Sequence, residues 1–361
     1  MATLSDEQLR DALDAYVDPL IGRGLAAAGA VRQAGVADGK AQVQIELGFP
    51  AEGYARELAE KIAQHLHPQL GDLELSVRIG WNIQSHAVQK NLKPLPGIRN
   101  IIAVASGKGG VGKSTVAVNL ALALRAEGAR VGILDADIYG PSQPRMLGSS
   151  AKPTSPDGRL MNPIVAHGIQ AMSIGFLIDE SEPMIWRGPM VTQALAQLIN
   201  ETKWQDLDYL VVDLPPGTGD IQLSLSQRIP VSGAVIVTTP QDIALLDARK
   251  GLAMFRKVDV AVLGVVENMS THVCSSCGHE EHIFGAGGGA RLAAQYGVEL
   301  LGSLPLDIRI REQADGGNPT VAAEPESELA LRYRSIARLA AARLAYGTAQ
   351  GAFPTISSSD D

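Results

Sequence analysis

The chain has 361 residues, of which 45% are hydrophobic and 19% charged, and it contains 38 glycines and 20 prolines. This length and composition fit about two globular domains and exclude the disordered and fibrous classes. Lys and Arg number 31 against 39 Asp and Glu, a formal net charge of −8, which argues against general nucleic-acid binding. No window offers about 18 uncharged apolar residues, and the first residues lack a basic then apolar leader, so we expect neither a membrane span nor a signal peptide.

The cysteine content bears on the compartment. The chain has 2 cysteines, Cys274 and Cys277, which are too few and too close for a disulfide framework. We therefore expect a cytoplasmic, reducing environment.

Residues 1–80 predict a small α+β domain with an open sheet. Its strands show alternating apolar residues, and its helices show a capping-box pattern or an apolar repeat every four residues. The strands are predicted at 43–47 and 73–79, and the helices after Ser5 and over 54–66. Residues 81–98 include Pro94 and Pro96 and have no clear period, so they are predicted to be a linker.

From residue 99 to about 346, short apolar runs alternate with helical patterns. This alternation is typical of an α/β fold with a mostly parallel sheet covered by helices on both faces. The predicted strands are 101–105, 131–134, 209–212, 234–237, 260–265 and 299–304, and the clearest helices are 114–127, 190–202 and 242–257. Residues 347–361 are expected to be a flexible tail.

A phosphate-binding sequence of the form G-x-x-x-x-G-K-[ST] connects the run 101–105 to a helix. Its residues are Gly107, Lys108, Gly109, Gly110, Val111, Gly112, Lys113, Ser114 and Thr115. The glycines allow backbone N–H groups to curl around phosphate oxygens at a helix N-terminus. We expect Lys113 to reach the β- and γ-phosphates of ATP and Ser114 to ligate Mg²⁺.

Two of the apolar runs end in carboxylates that belong with this loop. Asp213 ends the run 209–212, where an acidic residue can hold Mg²⁺ through water. Asp135 and Asp137 follow another run, and we expect one of them to orient the attacking water. Gly217, in the loop after Asp213, can bring its N–H close to the γ-phosphate.

The loop contains a second lysine, Lys108, in addition to Lys113, and this residue points to a known family. The loop resembles the deviant Walker A loop of nitrogenase iron protein, the MinD/ParA positioning ATPases and the Mrp proteins. The resemblance implies a P-loop ATPase of the SIMIBI/MinD-like type that forms an ATP-sandwiching homodimer, with Lys108 crossing to the partner's nucleotide. It also implies that Asp137 is the catalytic switch I residue and Asp213 the Walker B residue.

Further motifs are similar to the Mrp/ApbC branch of that family, the iron–sulfur cluster carriers. They are residues 135–142 (DADIYGPS), 186–190 (WRGPM), 213–220 (DLPPGTGD) and 267–270 (ENMS). The resemblance extends from residue 99 to about 345. The N-terminal segment is more weakly similar to a small iron–sulfur assembly domain. It has no cysteine, so a docking role is favoured over cluster chemistry there.

The resemblance also assigns adenine contacts. An asparagine at the place of Asn268 reads the adenine edge in the wider family, and Pro305 and Asp307 match a second contact. The alternatives are a turn-forming role for Asn268 and a helix N-cap for Asp307.

The Cys274-x-x-Cys277 pair has several interpretations from its residues alone. It fits half of a tetrathiolate site, zinc held with His279 or His282, a redox dithiol, or a surface turn. A [4Fe–4S] cluster takes four thiolates, and a two-fold dimer would supply the second pair. The family resemblance favours this bridged cluster. We expect His272, His279 and His282 to be solvated loop residues.

The last predicted helix carries an apolar stripe from Leu329 to Leu344 among several arginines. The MinD branch ends in a basic amphipathic helix that binds membranes. Because this stripe is poor in large residues, we favour a helix packed on the sheet with solvated arginines. The arginines are Arg332, Arg334, Arg338 and Arg343.

The leading hypothesis is an ATP-dependent carrier that holds a [4Fe–4S] cluster across a homodimer and passes it to apo-proteins. Assembly scaffold proteins are further expected partners, whereas nucleic acid and membranes are not. The alternative is a MinD/ParA-like positioning ATPase that acts at a membrane or on DNA. A third hypothesis, a scaffold with a relic nucleotide site, is disfavoured by the intact Lys113, Ser114, Asp137 and Asp213.

Overall fold

The computed structural model describes residues 4–89, 92–178, 188–274 and 276–347. The tail prediction for 348–361 and the motif residues Trp186 and Arg187 lie outside these ranges. The described residues form a three-stranded sheet, an eight-stranded sheet and a two-stranded hairpin.

The N-terminal part is a small mixed sheet with two helices. Its elements are α1 (Asp6–Ala15), β1 (Val31–Ala37), β2 (Lys40–Leu47), α2 (Ala55–Leu70) and β3 (Glu74–Trp81). Strand β2 is central, antiparallel to β1 and parallel to β3. The predicted capping box is confirmed, because Ser5 and Gln8 exchange side-chain and backbone hydrogen bonds.

The larger part alternates strands and helices. Its elements are β4 (Ile98–Ala105), α3 (Lys113–Ala126), β5 (Val131–Asp135), α4 (Gln143–Met146), β6 (Ile164–Ala166), β7 (Ile169–Ser173), a 3₁₀ turn (Ile174–Phe176), α5 (Gly188–Asn200), β8 (Leu207–Asp213), α6 (Asp220–Arg228), β9 (Gly233–Thr238), α7 (Asp242–Lys257), β10 (Val262–Glu267), β11 (His272–Val273), β12 (Glu280–Glu281), α8 (Gly288–Tyr296), β13 (Leu300–Ser303), α9 (Ile308–Asp315), α10 (Thr320–Ala323) and α11 (Glu328–Tyr346). The sheet order is β13-β10-β9-β4-β8-β5-β7-β6, and each pair except β6–β7 is parallel. The predicted fold class is confirmed.

Each face of the eight-stranded sheet has its own core. Successive residues of a strand point to opposite faces. Accordingly, Ile102 and Val104 of β4 pack in the core that contains α3 and α11, whereas Ile101 and Ala103 pack in the core that contains α5 and α7. Because both faces are buried, the strands read as unbroken apolar runs.

This topology gathers the predicted site residues. The phosphate loop follows β4, and Asp135, Asp213 and Asn268 stand at or just after the ends of β5, β8 and β10. The carboxyl ends of parallel strands share one edge of the sheet, where open α/β folds bind their ligands.

The C-terminal helix α11 packs on the core, as predicted. Leu329, Tyr333 and Ile336 are buried on its inner face. The expectation of solvated arginines is wrong for Arg334, Arg338 and Arg343, whose side chains are largely buried and paired. Arg334 and Arg338 bind Glu127, and Arg343 binds Glu299 and the Leu20 carbonyl. Arg332 does stay half-exposed and pairs only with Glu328 in the described chain.

The reason for this burial is that α11 also forms the joint with the N-terminal sheet. The Glu127 carboxylate at the end of α3 accepts the Gly53 N–H at 3.0 Å as well as the two guanidinium groups. The Tyr346 hydroxyl accepts the Gly48 N–H at 2.9 Å. Apolar residues of both parts belong to one continuous core. The arginines therefore act as internal partners and not as a solvated rim.

Candidate functional site

The phosphate loop has the conformation that its glycines predict. Gly110 and Gly112 have φ values of 81° and 79°, a region that glycine enters without steric cost. A Cβ at Gly112 would lie 2.3 Å from Nδ2 of Asn268, and one at Gly107 would lie 2.1 Å from the backbone of Asp247 in α7. Gly112 is also the N-cap of α3, so the loop presents a helix N-terminus to an anion.

Three predicted residues meet just inside this loop. The Lys113 ammonium, 6% exposed, forms an ion pair with the fully buried Asp213 carboxylate. Its Nζ also donates to Ser114 Oγ at 3.2 Å. A hydroxyl and a carboxylate are ligands that suit Mg²⁺, and the adjacent ammonium and helix N-terminus suit phosphate. The residues present therefore fit a magnesium–nucleotide complex.

Gln143 belongs to this group, although no sequence motif pointed to it. Its side chain is fully buried, and Nε2 donates to Asp213 Oδ2 at 2.9 Å and to the Ser114 carbonyl at 3.1 Å. It stands at the first position of α4, eight residues after Asp135. Gln143 is recognised as a site residue only from the folded structure, where it contacts Ser114 and Asp213.

Asp135 anchors the loop that carries Asp137. Its carboxylate accepts the backbone N–H groups of Asp137, Ser142 and Gln143 and the Ser173 hydroxyl at 2.9–3.1 Å. Burial, and next the negative charge of Asp213, raise the pKa of Asp135 to about 7. The structure thus makes this residue a support for the loop.

Asp137 is better placed than Asp135 to act on a ligand. It is only partly buried, and it accepts a long hydrogen bond of 3.4 Å from the Gly140 N–H. Burial raises its pKa above the usual carboxyl value, while Lys113 opposes that shift. A raised pKa makes a carboxylate a stronger hydrogen-bond acceptor for water.

Lys108 and Gly217, both expected to contact the nucleotide, have protein partners in this structure. The Lys108 ammonium donates to Gln241 Oε1, just before α7, at 3.3 Å, whereas that of Lys113 pairs with Asp213. Gly217 has a φ of 100°, and its N–H donates to the Ser106 carbonyl at 3.0 Å. The expected contacts of both residues with a ligand remain predictions.

The residues expected at the adenine have other partners in this structure. Asn268 is buried, and its Nδ2 donates to the Val111 carbonyl of the phosphate loop at 2.9 Å. Asp307 caps α9 by accepting the Arg309 N–H and also pairs with that arginine. Pro305 lies in the segment between β13 and α9. Their adenine roles stay predictions, and the N-cap alternative for Asp307 is observed.

The two cysteines lie at the tip of the hairpin formed by β11 and β12. The Cys274 N–H donates to the His279 carbonyl at 2.9 Å, and the Gly278 N–H donates to the Cys274 carbonyl at 2.8 Å. Cys277 is exposed and Cys274 partly so, and neither is in a disulfide. The backbone N–H groups of Ser276 and Cys277, followed by the Cys277 thiol, lower the pKa of Cys274, which favours the metal-binding thiolate.

The neighbouring histidines have backbone partners. Nδ1 of His272 lies 3.1 Å from the Leu306 carbonyl, and Nδ1 of His282 lies 3.0 Å from the Ser270 carbonyl. His279 is exposed, as expected. Within the described ranges, no cluster of three or more His, Cys, Asp or Glu side chains is arranged to hold a metal ion. The zinc alternative therefore gains no support from one chain.

Asn268 connects the phosphate loop to the cysteine hairpin. Asn268 contacts the loop through Val111, and Cys274 follows six residues later. Between them, Ser270 donates its N–H and its hydroxyl to the Leu304 carbonyl. The connection from the loop to the hairpin is therefore short and hydrogen-bonded.

Comparison with known proteins finds two families along the chain. The family described as NUBPL iron-transfer P-loop NTPase matches residues 97–341, and the family described as iron-sulfur cluster assembly protein matches residues 6–77. Both parts of the resemblance drawn from the motifs are thereby confirmed. In the part of the chain that the structure describes, no helix is both long and apolar enough to cross a membrane.

Individual relatives agree with these matches. A Pseudomonas fragi protein named iron-sulfur cluster carrier protein is 62% identical over 263 residues, which is 72% of this chain and 92% of the relative. A protein of the same name from Escherichia coli K12 is 55% identical over 308 residues, 85% of this chain and 84% of the relative. The solved structure of a nucleotide-binding protein from Archaeoglobus fulgidus in complex with ADP is similar, with a TM-score of 0.56 and 37% identity, over 64% of this chain and 91% of that chain.

Proposed function

Because the chain belongs to the NUBPL iron-transfer P-loop NTPase family, we propose that it is an iron–sulfur cluster carrier that binds and hydrolyses ATP. Its cargo is a [4Fe–4S] cluster held between two copies of the chain and passed to apo-proteins. The observation that carries the proposal is the hairpin with two free thiols, six residues from a residue that contacts the phosphate loop.

The thiol count supports a bridged cargo. One chain offers Cys274 and Cys277, whereas a [4Fe–4S] cluster takes four thiolates. Two-fold symmetry would bring a second identical pair to the same point. The exposure of the hairpin supports transfer, since a cluster that is handed over needs an accessible site. Reduced thiols of this kind fit the cytoplasmic location that we propose.

The proposed ATPase activity is supported by the residues around the phosphate loop. Lys113 binds the β- and γ-phosphates, Ser114 and Asp213 hold Mg²⁺, and Asp137 orients the attacking water. The bound cation would neutralise the phosphate charge. The glycines at 110 and 112 allow the backbone N–H groups to face the phosphates without a side chain in the way.

The proposed homodimer is supported by the surface beside the loop. Lys108 lies against Gln241, and Ile243 and Leu246 of the following helix α7 are 69% and 53% exposed. Exposed apolar side chains next to a ligand site are typical of an interface. In the dimer, Lys108 would leave Gln241 and contact the partner's nucleotide. The N-terminal residues 1–80 would dock assembly scaffold or acceptor proteins.

The positioning-ATPase alternative has less support. Its membrane form needs a free amphipathic helix, but α11 is buried against α3 and the N-terminal sheet. Its DNA form is disfavoured by the net charge of −8.

The proposal is tested by anaerobic reconstitution of the full chain with ferrous iron and sulfide. Wild type should bind about four irons per dimer, by the thiolate count, with a cluster absorption band and a dimer mass in native mass spectrometry. Cys274→Ser and Cys277→Ser should lose the iron because a hydroxyl is a poor ligand, while still binding ATP. Ser276→Ala is the matched control in the same turn and should keep it.

The transfer step needs its own measurement. The loaded dimer should activate the apo form of a [4Fe–4S] enzyme in the presence of Mg-ATP. Full iron retention by both serine variants, or four irons on each monomer, would overturn the bridged carrier. Zinc in place of iron after anaerobic purification would also overturn it.

A further inference from the structure

The buried glutamine of the candidate site has a hydrogen-bond acceptor without a partner. Nε2 of Gln143 has two acceptors, Asp213 Oδ2 and the Ser114 carbonyl, yet Oε1 of the same amide is buried and has no donor within the described chain. An unpartnered buried acceptor is unfavourable, because its lost hydration is not replaced by a hydrogen bond. At Gln143 this acceptor lies beside Ser114 and Asp213, which fit a magnesium–nucleotide complex, so a donor that arrives with the ligand would account for it.

The neighbouring residue shows the same pattern. The Ser142 hydroxyl is likewise buried with no partner among the described residues, and Ser142 and Gln143 both hold Asp135 through their backbone N–H groups. Two adjacent residues therefore each carry a buried polar atom without a partner in the described chain. The two ligand-bearing residues that Gln143 touches, Ser114 and Asp213, are those proposed to hold the cation.

We propose that Gln143 is a positioning residue of the magnesium–nucleotide site. Its Nε2 fixes the Asp213 carboxylate for the metal, and its Oε1 accepts a hydrogen bond from a water molecule of the hydrated cation. Magnesium keeps several of its waters in protein sites, so a neutral acceptor of this kind suits it. The inference rests on the proposed ATP-binding function and adds a residue to it.

The arrangement also gives Gln143 a linking role. Its backbone N–H binds Asp135, which supports the Asp137 loop, while its side chain binds Asp213 and the first turn of α3. The cation is therefore connected to the Asp137 loop through one residue. A metal bound at Asp213 would thus order that loop as it satisfies the free amide oxygen.

The test replaces the amide by an apolar group of similar size, Gln143→Met. Binding of a fluorescent ATP analogue is titrated with Mg²⁺, and Mn²⁺ binding is counted by electron paramagnetic resonance. The midpoint for the metal should rise about tenfold, equivalent to about 1.4 kcal/mol, while nucleotide binding in EDTA is unchanged. Excess Mg²⁺ should restore ATP hydrolysis, a rescue that a collapsed site would not show.

Gln89→Met is the matched control. Gln89 is also buried, and its Nε2 also has two acceptors, here the carbonyls of Ser226 and Ile229. Its Oε1 is likewise without a partner in the described chain. Its metal midpoint should equal that of wild type.

The outcomes separate the two proposals. A wild-type chain that binds no nucleotide would overturn the proposed function. A wild-type chain that binds Mg-nucleotide, together with an unchanged metal midpoint in Gln143→Met, would overturn this inference alone. An equal shift in Gln89→Met would do the same, because it would assign the effect to lost packing.

Discussion

Removal of the Glu127 carboxylate should destabilise the contact between the N-terminal sheet and the rest of the chain. The Glu127 side chain is fully buried, and the two guanidinium groups that it binds, those of Arg334 and Arg338, are only 12% and 13% exposed. A Cβ on Gly53 would come within 3 Å of all three groups, so the cluster is packed without spare room. Glu127→Ala leaves two buried cations and one backbone N–H without their acceptor.

The size of the effect follows from burial. Removing one partner of a buried ion pair costs about 3–5 kcal/mol, because the remaining charge stays desolvated. Arg334 also lies 3.7 Å from Glu326, which is 86% exposed, and an exposed pair of this kind contributes at most about 1 kcal/mol. Glu326→Ala is therefore the matched control, since it removes a carboxylate from the same arginine at the surface.

The assay is equilibrium unfolding in urea followed by tryptophan emission. Trp81 reports on the joint because its ring packs against Gly128, next to Glu127, and Trp204 reports on the core of the larger part. Glu127→Ala should lower the free energy of unfolding by about 3–5 kcal/mol and move the Trp81 transition first. If the free energies of unfolding of Glu127→Ala and Glu326→Ala agree within about 1 kcal/mol, Glu127 does not stabilise the contact with the N-terminal sheet as argued.

Three further predictions concern the nucleotide site. Asp137→Asn should leave binding of a fluorescent ATP analogue intact but slow phosphate release about 100-fold or more, and wild-type turnover would refute its role. Lys108→Ala should bind nucleotide normally yet lose the rise of specific activity with protein concentration that a dimer gives. Asp135 has a pKa raised from 3.8 to about 7, so the folded chain retains a proton there that the unfolded chain releases. Its stabilising contribution is present below about pH 4 and is lost as pH rises through 7, at up to about 1.4 kcal/mol per pH unit, and Asp135→Asn should flatten that slope in urea titrations.

The sequence predicted best the helices and strands whose apolar pattern lies within one contiguous segment. Helix α7 has the predicted bounds, and the apolar runs mark β4, β5, β8, β9 and β10 to within three residues at each end. These strands are buried on both faces, so their signal does not depend on neighbours. Strand β1 escaped because its burial does not alternate and its register shifts between Val31 and Gln33. The short edge strand β6 and its neighbour β7 gave no apolar run long enough to detect.

In the candidate site, too, local motifs were predictable and contacts between distant segments were not. The phosphate loop and Asp213 follow from local motifs, and the structure does bring Lys113, Ser114 and Asp213 together. Gln143 could not be found this way, because its partners lie 29 and 70 residues away. The pairing of Arg334 with Glu127, 207 residues apart, is equally invisible to periodicity, which identifies an apolar face but not the partner of a charge.

The docking of α11 against the N-terminal sheet sets an order for synthesis of the chain. Gly48 binds Tyr346 across 298 residues, and Leu20 binds Arg343 across 323. At roughly 5–20 residues per second, the closing helix leaves the ribosome about 15–60 s after the sheet that it covers. During that interval Phe49, whose ring packs on Tyr346 in the finished protein, lacks its cover. The part of the chain that is made first is therefore completed last.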